Sequence, residues 1–262
     1  MDNVHASVII GILALGSLYA AAAWRMGRRV LPRQAAAFSA GLATILVALN
    51  GPVDALADGR LFSAHMAQHL LLAQVMPPLL LLGLPDWMIR PLVRHPAVAW
   101  LARRVTHPVV AFSLYNALLI VIHVPAVFER MVRDEEMHIA LHLLLMAAGV
   151  VAWWPLLSPL PELPRLSYPA QILYLFMMLI PMAAVSAPIA LAPTVIYPWY
   201  TEGPHPLGLT ALVDQELGGL LMWVGAGLYL MCVFSLIFFR WARCEDRDEP
   251  IAGRPMARSS WG

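Results

Sequence analysis

The sequence predicts an all-α integral membrane protein, a bundle of seven transmembrane helices with its N-terminus outside and its C-terminus inside. Three observations support that expectation. The composition is 60% apolar and only 13% charged over 262 residues, with a mean hydropathy of +0.70. A soluble domain averages about 45–50% apolar and about 25% charged. Apolar runs long enough to cross the hydrocarbon core, about 20 residues each, recur seven times. The arginines fall almost entirely between alternate pairs of those runs.

The spans are expected near 5–24, 35–50, 63–84, 107–127, 138–157, 170–191 and 214–239. The first could pass for a secretory signal, but Asp2 precedes it and Arg25, Arg28, Arg29 and Arg33 follow it. A signal peptide has the opposite polarity, so the span is read as uncleaved. Asn50-Gly51-Pro52 ends the short second span. Residues 86–105 mix Arg90, Arg94, Arg103 and Arg104 with Trp87 and Trp100 and read as an inner interfacial segment. The spans form one domain over 1–242, and 243–262 read as a flexible cytoplasmic tail.

Orientation follows from the arginines, because short cytoplasmic segments collect positive charge. With the N-terminus outside, fourteen of the seventeen lie inside, and only Arg60, Arg130 and Arg133 lie outside. There is no lysine, which removes P-loop and Schiff-base chemistry. A net charge of +1 gives no reason to expect nucleic acid as a partner. The two cysteines, Cys232 and Cys244, form no CxxC pair and no thiolate zinc site.

Ionisable groups inside spans are costly and mark functional sites. Here they gather at one depth. His65 and His69 open the third span, His123 closes the fourth, His138 and His142 open the fifth, and Asp214 and Glu216 open the seventh. All lie within about two turns of the outer surface in this topology. His65/His69 and His138/His142 are i, i+4 pairs, which place two imidazoles on one helix face where they can bind one metal ion. In the alternative, each histidine only hydrogen-bonds a neighbouring helix. Met66, Met76, Met146 and Met222 lie on or near the same faces, and thioether with imidazole favours Cu(I). Methionine also fills gaps in apolar cores. His5, His95, His107 and His205 are given no role. Pro77-Pro78, Pro181 and Pro188 are expected to interrupt the third and sixth spans, and Gly218 and Gly219 to allow close approach to the seventh.

At these residues the chain resembles the CtaG family of polytopic bacterial cytochrome c oxidase assembly proteins. The resemblance rests on Phe62-Ser63-Ala64-His65-Met66-Ala67-Gln68-His69, on Pro77-Pro78-Leu79-Leu80, and on His123-Val124-Pro125. It continues through His138 and His142, Trp153-Trp154-Pro155, and the block from Asp214 to Trp223. Where the family often carries a carboxylate before the second histidine of the fifth span, Leu141 stands here. The resemblance implies a non-enzymatic role in maturing a haem-copper terminal oxidase in the bacterial inner membrane, by supplying or placing copper. The implied partners are oxidase subunits or other copper-delivery proteins, within membrane lipid. The competing readings are a b-type haem protein and a membrane metalloenzyme using the same histidines. Against the enzyme, neither HxxxH carries the glutamate of HExxH and no GxSxG elbow occurs. A metal permease would want polar residues continuing past the midplane, and the spans below Met76 and Met146 are almost wholly apolar.

Overall fold

The computed structural model describes residues 5–58, 60–202 and 206–248. The described residues contain helices and no strand. We label α1 (Ala6–Met26), α2 (Pro32–Leu49), α3 (Pro52–Asp58), α4 (Phe62–Gly83), α5 (Pro96–Val105), α6 (Pro108–His123), α7 (Pro125–Arg133), α8 (Glu135–Leu157), α9 (Tyr168–Ala190) and α10 (Ala211–Glu245). Among the described residues six helical runs are long and apolar enough to cross a membrane, and seven if the bent pair α5 and α6 is one span. That pair bends by 68°. On its own α6 has 16 residues, about 24 Å of helix, which falls short of a hydrocarbon core about 30 Å thick.

The polarity of the bundle is that of a protein in lipid. Its exterior is apolar: Ile10, Leu13, Leu18, Val109, Leu173 and Leu228 are all exposed. Its interior holds Gln68, Gln74, Asn116, Ser186 and Gln215. Side chains that can hydrogen-bond belong inside when no water surrounds the helices. Gln74 Nε2 donates to Tyr115 Oη at 3.0 Å, and the Tyr229 hydroxyl donates to the Gln74 carbonyl at 2.9 Å. These bonds join α4 to α6 and α10.

The centre of the bundle is α4. About 61% of its apolar stretch is buried, against 0–39% for the other spans. Glycines set how close its neighbours come. A Cβ on Gly83 would lie 2.5 Å from the Phe38 backbone nitrogen of α2, closer than any real contact.

Three expectations about breaks need revision. The expected stop at Asn50-Gly51-Pro52 holds: α2 ends at Leu49 with Asn50 outside helical geometry (φ −157, ψ 26), and α3 restarts at Pro52, so that the apolar run as a whole extends over Pro32–Asp58. The third span is not interrupted at Pro77-Pro78. Proline lacks an N–H and crowds the carbonyl four residues back, and here a π turn at Leu71–Val75 absorbs the misfit, with Met76 N–H reaching the Leu71 carbonyl. The sixth continues unbroken through Pro181 and Pro188 as α9. The fourth ends early: Pro125 forces Val124 into extended backbone (φ −62, ψ 125), so the helix stops at His123 and α7 starts afresh. α10 carries its own π turn, Leu221–Gly225. The tail beyond residue 248 and His205 lie outside the described residues.

Substituting Gly83→Ala forces α2 and α4 apart. It is expected to lower stability in detergent by about 1–3 kcal/mol, read as a fall in thermal midpoint. Gly11→Ala on α1, where a Cβ meets nothing within 4 Å, should leave the midpoint unchanged.

Candidate metal centre

Five histidines from three helices converge at one end of the bundle. α4 contributes His65 and His69, the last residue of α6 is His123, and the first two turns of α8 contribute His138 and His142. Asp134 builds the start of α8, its carboxylate accepting from Met137 N at 3.1 Å. The rings form a continuous chain. Centroids are 5.1 Å apart for His65 and His138, 4.4 Å for His138 and His142, 5.1 Å for His142 and His69, and 6.0 Å for His69 and His123. His65, His138 and His142 can each present one ring nitrogen with all three within 4.8 Å of one another, which suits a single ion. His65 Nε2 lies 3.0 Å from His69 Nε2.

Ring orientation is fixed from behind. His123 Nδ1 sits 2.7 Å from the Leu119 carbonyl. A carbonyl can only accept, so Nδ1 carries the proton and Nε2 the lone pair. The Tyr200 hydroxyl pairs with His65 Nδ1 at 3.1 Å, the kind of outer partner that fixes a ligating imidazole. Burial pushes the Tyr200 hydroxyl well above its ordinary pKa, with Asp214 adding to the shift. Four ring nitrogens are buried without a hydrogen-bond partner: His69 Nδ1, His123 Nε2, His138 Nε2 and His142 Nε2. Native proteins leave few such atoms, because each costs about 1–3 kcal/mol.

Above the histidines the loop after α9 folds back as a roof. Phe62, Phe128, Tyr197 and Tyr200 pack ring against ring, and the Tyr197 hydroxyl donates to the His123 carbonyl at 2.9 Å. Outside them Trp199 lies between two guanidinium groups, 4.1 Å from Arg60 and 4.8 Å from Arg133. Its backbone N–H donates to Glu129 at 2.9 Å. Arg133 bonds both Glu129 and Glu202 and holds the Glu202 carboxyl below its usual range.

The remaining expected site residues are placed elsewhere or on its edge. Both Asp214 oxygens are directed at the start of α4: Oδ2 accepts from Phe62 N at 2.5 Å, and Oδ1 from Ser63 N at 3.1 Å and from the Ser63 hydroxyl. Among the described residues it joins none of the clustered ligand groups. Glu216 is half-buried and joins none either. Met66 is packed among Phe62, Leu119 and Phe128, while Met76 and Met146 pack with Ile45, Ala48 and Leu72. Met222 does approach the histidines. It lines a cavity of about 10 Å³ with His69, His123, Tyr115 and Met182. His123 also borders a second, wider groove of about 230 Å³ between α6 and α9, beside Pro125, Pro188 and Tyr197.

Three features escaped the sequence reading. Met182 and Tyr200 carry no local pattern that points to the site. His5, given no role, lies 3.2 Å from Asp54 and 3.9 Å from Asp58, and Gln68 Nε2 donates to Asp54 at 2.8 Å. The i, i+4 spacing of Asp54 and Asp58 was the available signal there. Both cysteines are exposed, away from the cluster.

Removing the carboxylate in Asp214→Ala leaves the first N–H groups of α4 unpaired in an apolar interior. A stability loss of about 2–3 kcal/mol is expected. The folded variant should match the parent in whatever metal the parent carries, measured by elemental analysis; selective loss of metal would make Asp214 a ligand.

Comparison with known proteins gives the family. At 28% identity, the chain matches the uncharacterized protein Mb0105 of Mycobacterium bovis over 88% of its own length and 36% of the relative's. The uncharacterized protein MT0111 of Mycobacterium tuberculosis matches to the same extent, and ML1998 of Mycobacterium leprae over 71% of the chain and 31% of the relative. The chain thus spans about a third of the length of these curated relatives. No solved structure matches it. The family described as cytochrome c oxidase caa3 assembly factor matches residues 17–244. Those residues take in α2 to α9 entire and all five clustered histidines, and the chain belongs to the Caa3_CtaG family.

Proposed function

We propose that this protein helps to assemble a haem-copper terminal (cytochrome c) oxidase by binding copper in its histidine cluster and placing it in the oxidase. The observation that supports this most directly is the gathering of four unpartnered ring nitrogens in one buried layer. A structural histidine needs one partner, and a fold selected only for stability would have supplied it. A metal ion satisfies several such lone pairs at once. His65, His138 and His142 are the primary ligands in this reading, with His69 and His123 alongside. The role is delivery of copper as cargo, without catalysis.

The packing favours an ion over haem. The His65 and His138 rings stack at 5.1 Å with planes 21° apart, leaving no slot between α4 and α8 for a macrocycle. The arginine distribution supports an N-terminus outside and a C-terminus inside, which in this reading sets the cluster at the outer leaflet of the bacterial inner membrane. Oxidase subunits and other copper-delivery proteins are the partners this role requires.

Orientation is tested with reporters active only outside the membrane. Fusions after Arg133 and Thr201 should be active and a fusion after Arg94 silent; the reverse pattern would place the cluster in the cytoplasm and end the delivery reading.

Function is tested in a deletion strain. Oxidase subunits should still be made and inserted, copper-dependent oxidase activity should fall, and excess copper should restore part of it. Purified His138→Ala/His142→Ala protein should bind less copper than the parent, while Cys232→Ala/Cys244→Ala should bind as much. Normal oxidase activity in the deletion strain would remove the assembly role. A defective oxidase with full function in every histidine variant would leave a scaffold that carries no copper.

A further inference from the structure

We infer that the cluster contains two metal positions of different chemistry, with His69 shared between them. This rests on the copper-binding reading and adds to it a second, inner site. The outer position is the all-imidazole group of His65, His138 and His142. The inner one is the cavity of about 10 Å³ lined by His69, His123, Met182 and Met222. A cavity of that size admits one ion or one water and nothing larger.

The inner donors fit a soft monovalent ion. His123 Nε2 is a lone pair, because its Nδ1–H is committed to the Leu119 carbonyl, and it has no partner. His69 Nδ1 is likewise buried and unpartnered. Met182 and Met222 are 3% and 2% exposed, and they come from α9 and α10 respectively. Two imidazoles and two thioethers select Cu(I) over zinc or harder divalent ions. No carboxylate or thiolate lines the cavity.

His69 connects the two positions through its two nitrogens. Its Nε2 faces His65 Nε2 at 3.0 Å, on the outer side, while its Nδ1 remains for the inner one. Neutral imidazole carries one proton, so only one of these nitrogens offers a lone pair at a time. In one tautomer the His69 lone pair faces the outer position, in the other the inner one.

The test uses full-length protein in nanodiscs, in a Cys232→Ser/Cys244→Ser background so that any sulfur ligand is a thioether. Protein is titrated anaerobically with Cu(I), and stoichiometry and copper X-ray absorption are measured. The parent should bind two Cu(I) per chain with a clear sulfur contribution. Met182→Leu/Met222→Leu, a substitution that nearly conserves volume, should bind one or more weakly held ions and lose the sulfur contribution. His138→Ala/His142→Ala should lose the outer ion and show a higher sulfur share per copper. Thermal midpoints confirm that each variant is folded. One copper per chain without sulfur would overturn the inner position while leaving copper binding intact. An unchanged sulfur signal in the double leucine variant would overturn it as well. No copper in the parent would overturn this inference and the delivery reading together.

Discussion

One buried carboxylate sets the position of the histidine layer. The first N–H groups of any helix lack partners within it, and in an apolar bundle water does not supply them. The residue just before α4 is Leu61, which has no side chain to cap with. Asp214 supplies the cap from a different helix, taking Phe62 N, Ser63 N and the Ser63 hydroxyl on its two oxygens. Its charge also suits the positive end of the helix. The register of α4 against α10 is thereby fixed, and His65 and His69 lie one and two turns further inward. Gly218, one turn further along α10, completes the contact, because a Cβ there would collide with the Phe62 ring.

Beyond the capped turn both helices change geometry. Each carries a π turn, Leu71–Val75 in α4 and Leu221–Gly225 in α10. A π turn adds a residue to the helical turn and rotates the remainder of the helix about its axis. In α4 it accommodates Pro77. In α10 no proline comes after it, but Met222 lies within the turn itself, against the cavity that also touches His69 and His123. Irregular helix at membrane depth is tolerated where it is enclosed by protein; the α4 turn is largely buried, whereas in the α10 turn Met222 is buried and Leu221, Trp223 and Val224 are exposed.

The outline of this architecture was legible in the sequence because hydropathy, arginine placement and i, i+4 histidines are local signals. The five histidines were picked out by a common depth, and four of them also by i, i+4 spacing; the fold brings all five together. Depth failed for Asp214, which shares the layer but faces the start of α4. Depth says how far along its helix a residue lies and not which way it points. It failed also for Met66, Met76 and Met146, which turn toward neighbouring core. Met182 was missed because α9 carries no histidine or carboxylate to mark the layer. Tyr200 lies in a loop with no periodicity, and its contact with His65 spans 135 residues of sequence.

The same bonds explain how so many unsatisfied imidazoles persist. Four unpartnered nitrogens at about 1–3 kcal/mol each are comparable with the whole stability of an ordinary domain, about 5–15 kcal/mol. Left mobile, the rings would turn until they paired with carbonyls or with one another. His123 is held by Leu119, His65 by Tyr200, and the end of α6 by Tyr197 on the His123 carbonyl. The aromatic roof fills the space into which the rings could swing. Rigidity on the outward side therefore keeps the unpartnered nitrogens gathered, a strain that the ion of the proposed function would relieve. An ion bound only by the folded state would stabilise it logarithmically with its free concentration. A site built this way also gives up cargo only to a partner that offers better ligands, which is the property a delivery protein needs.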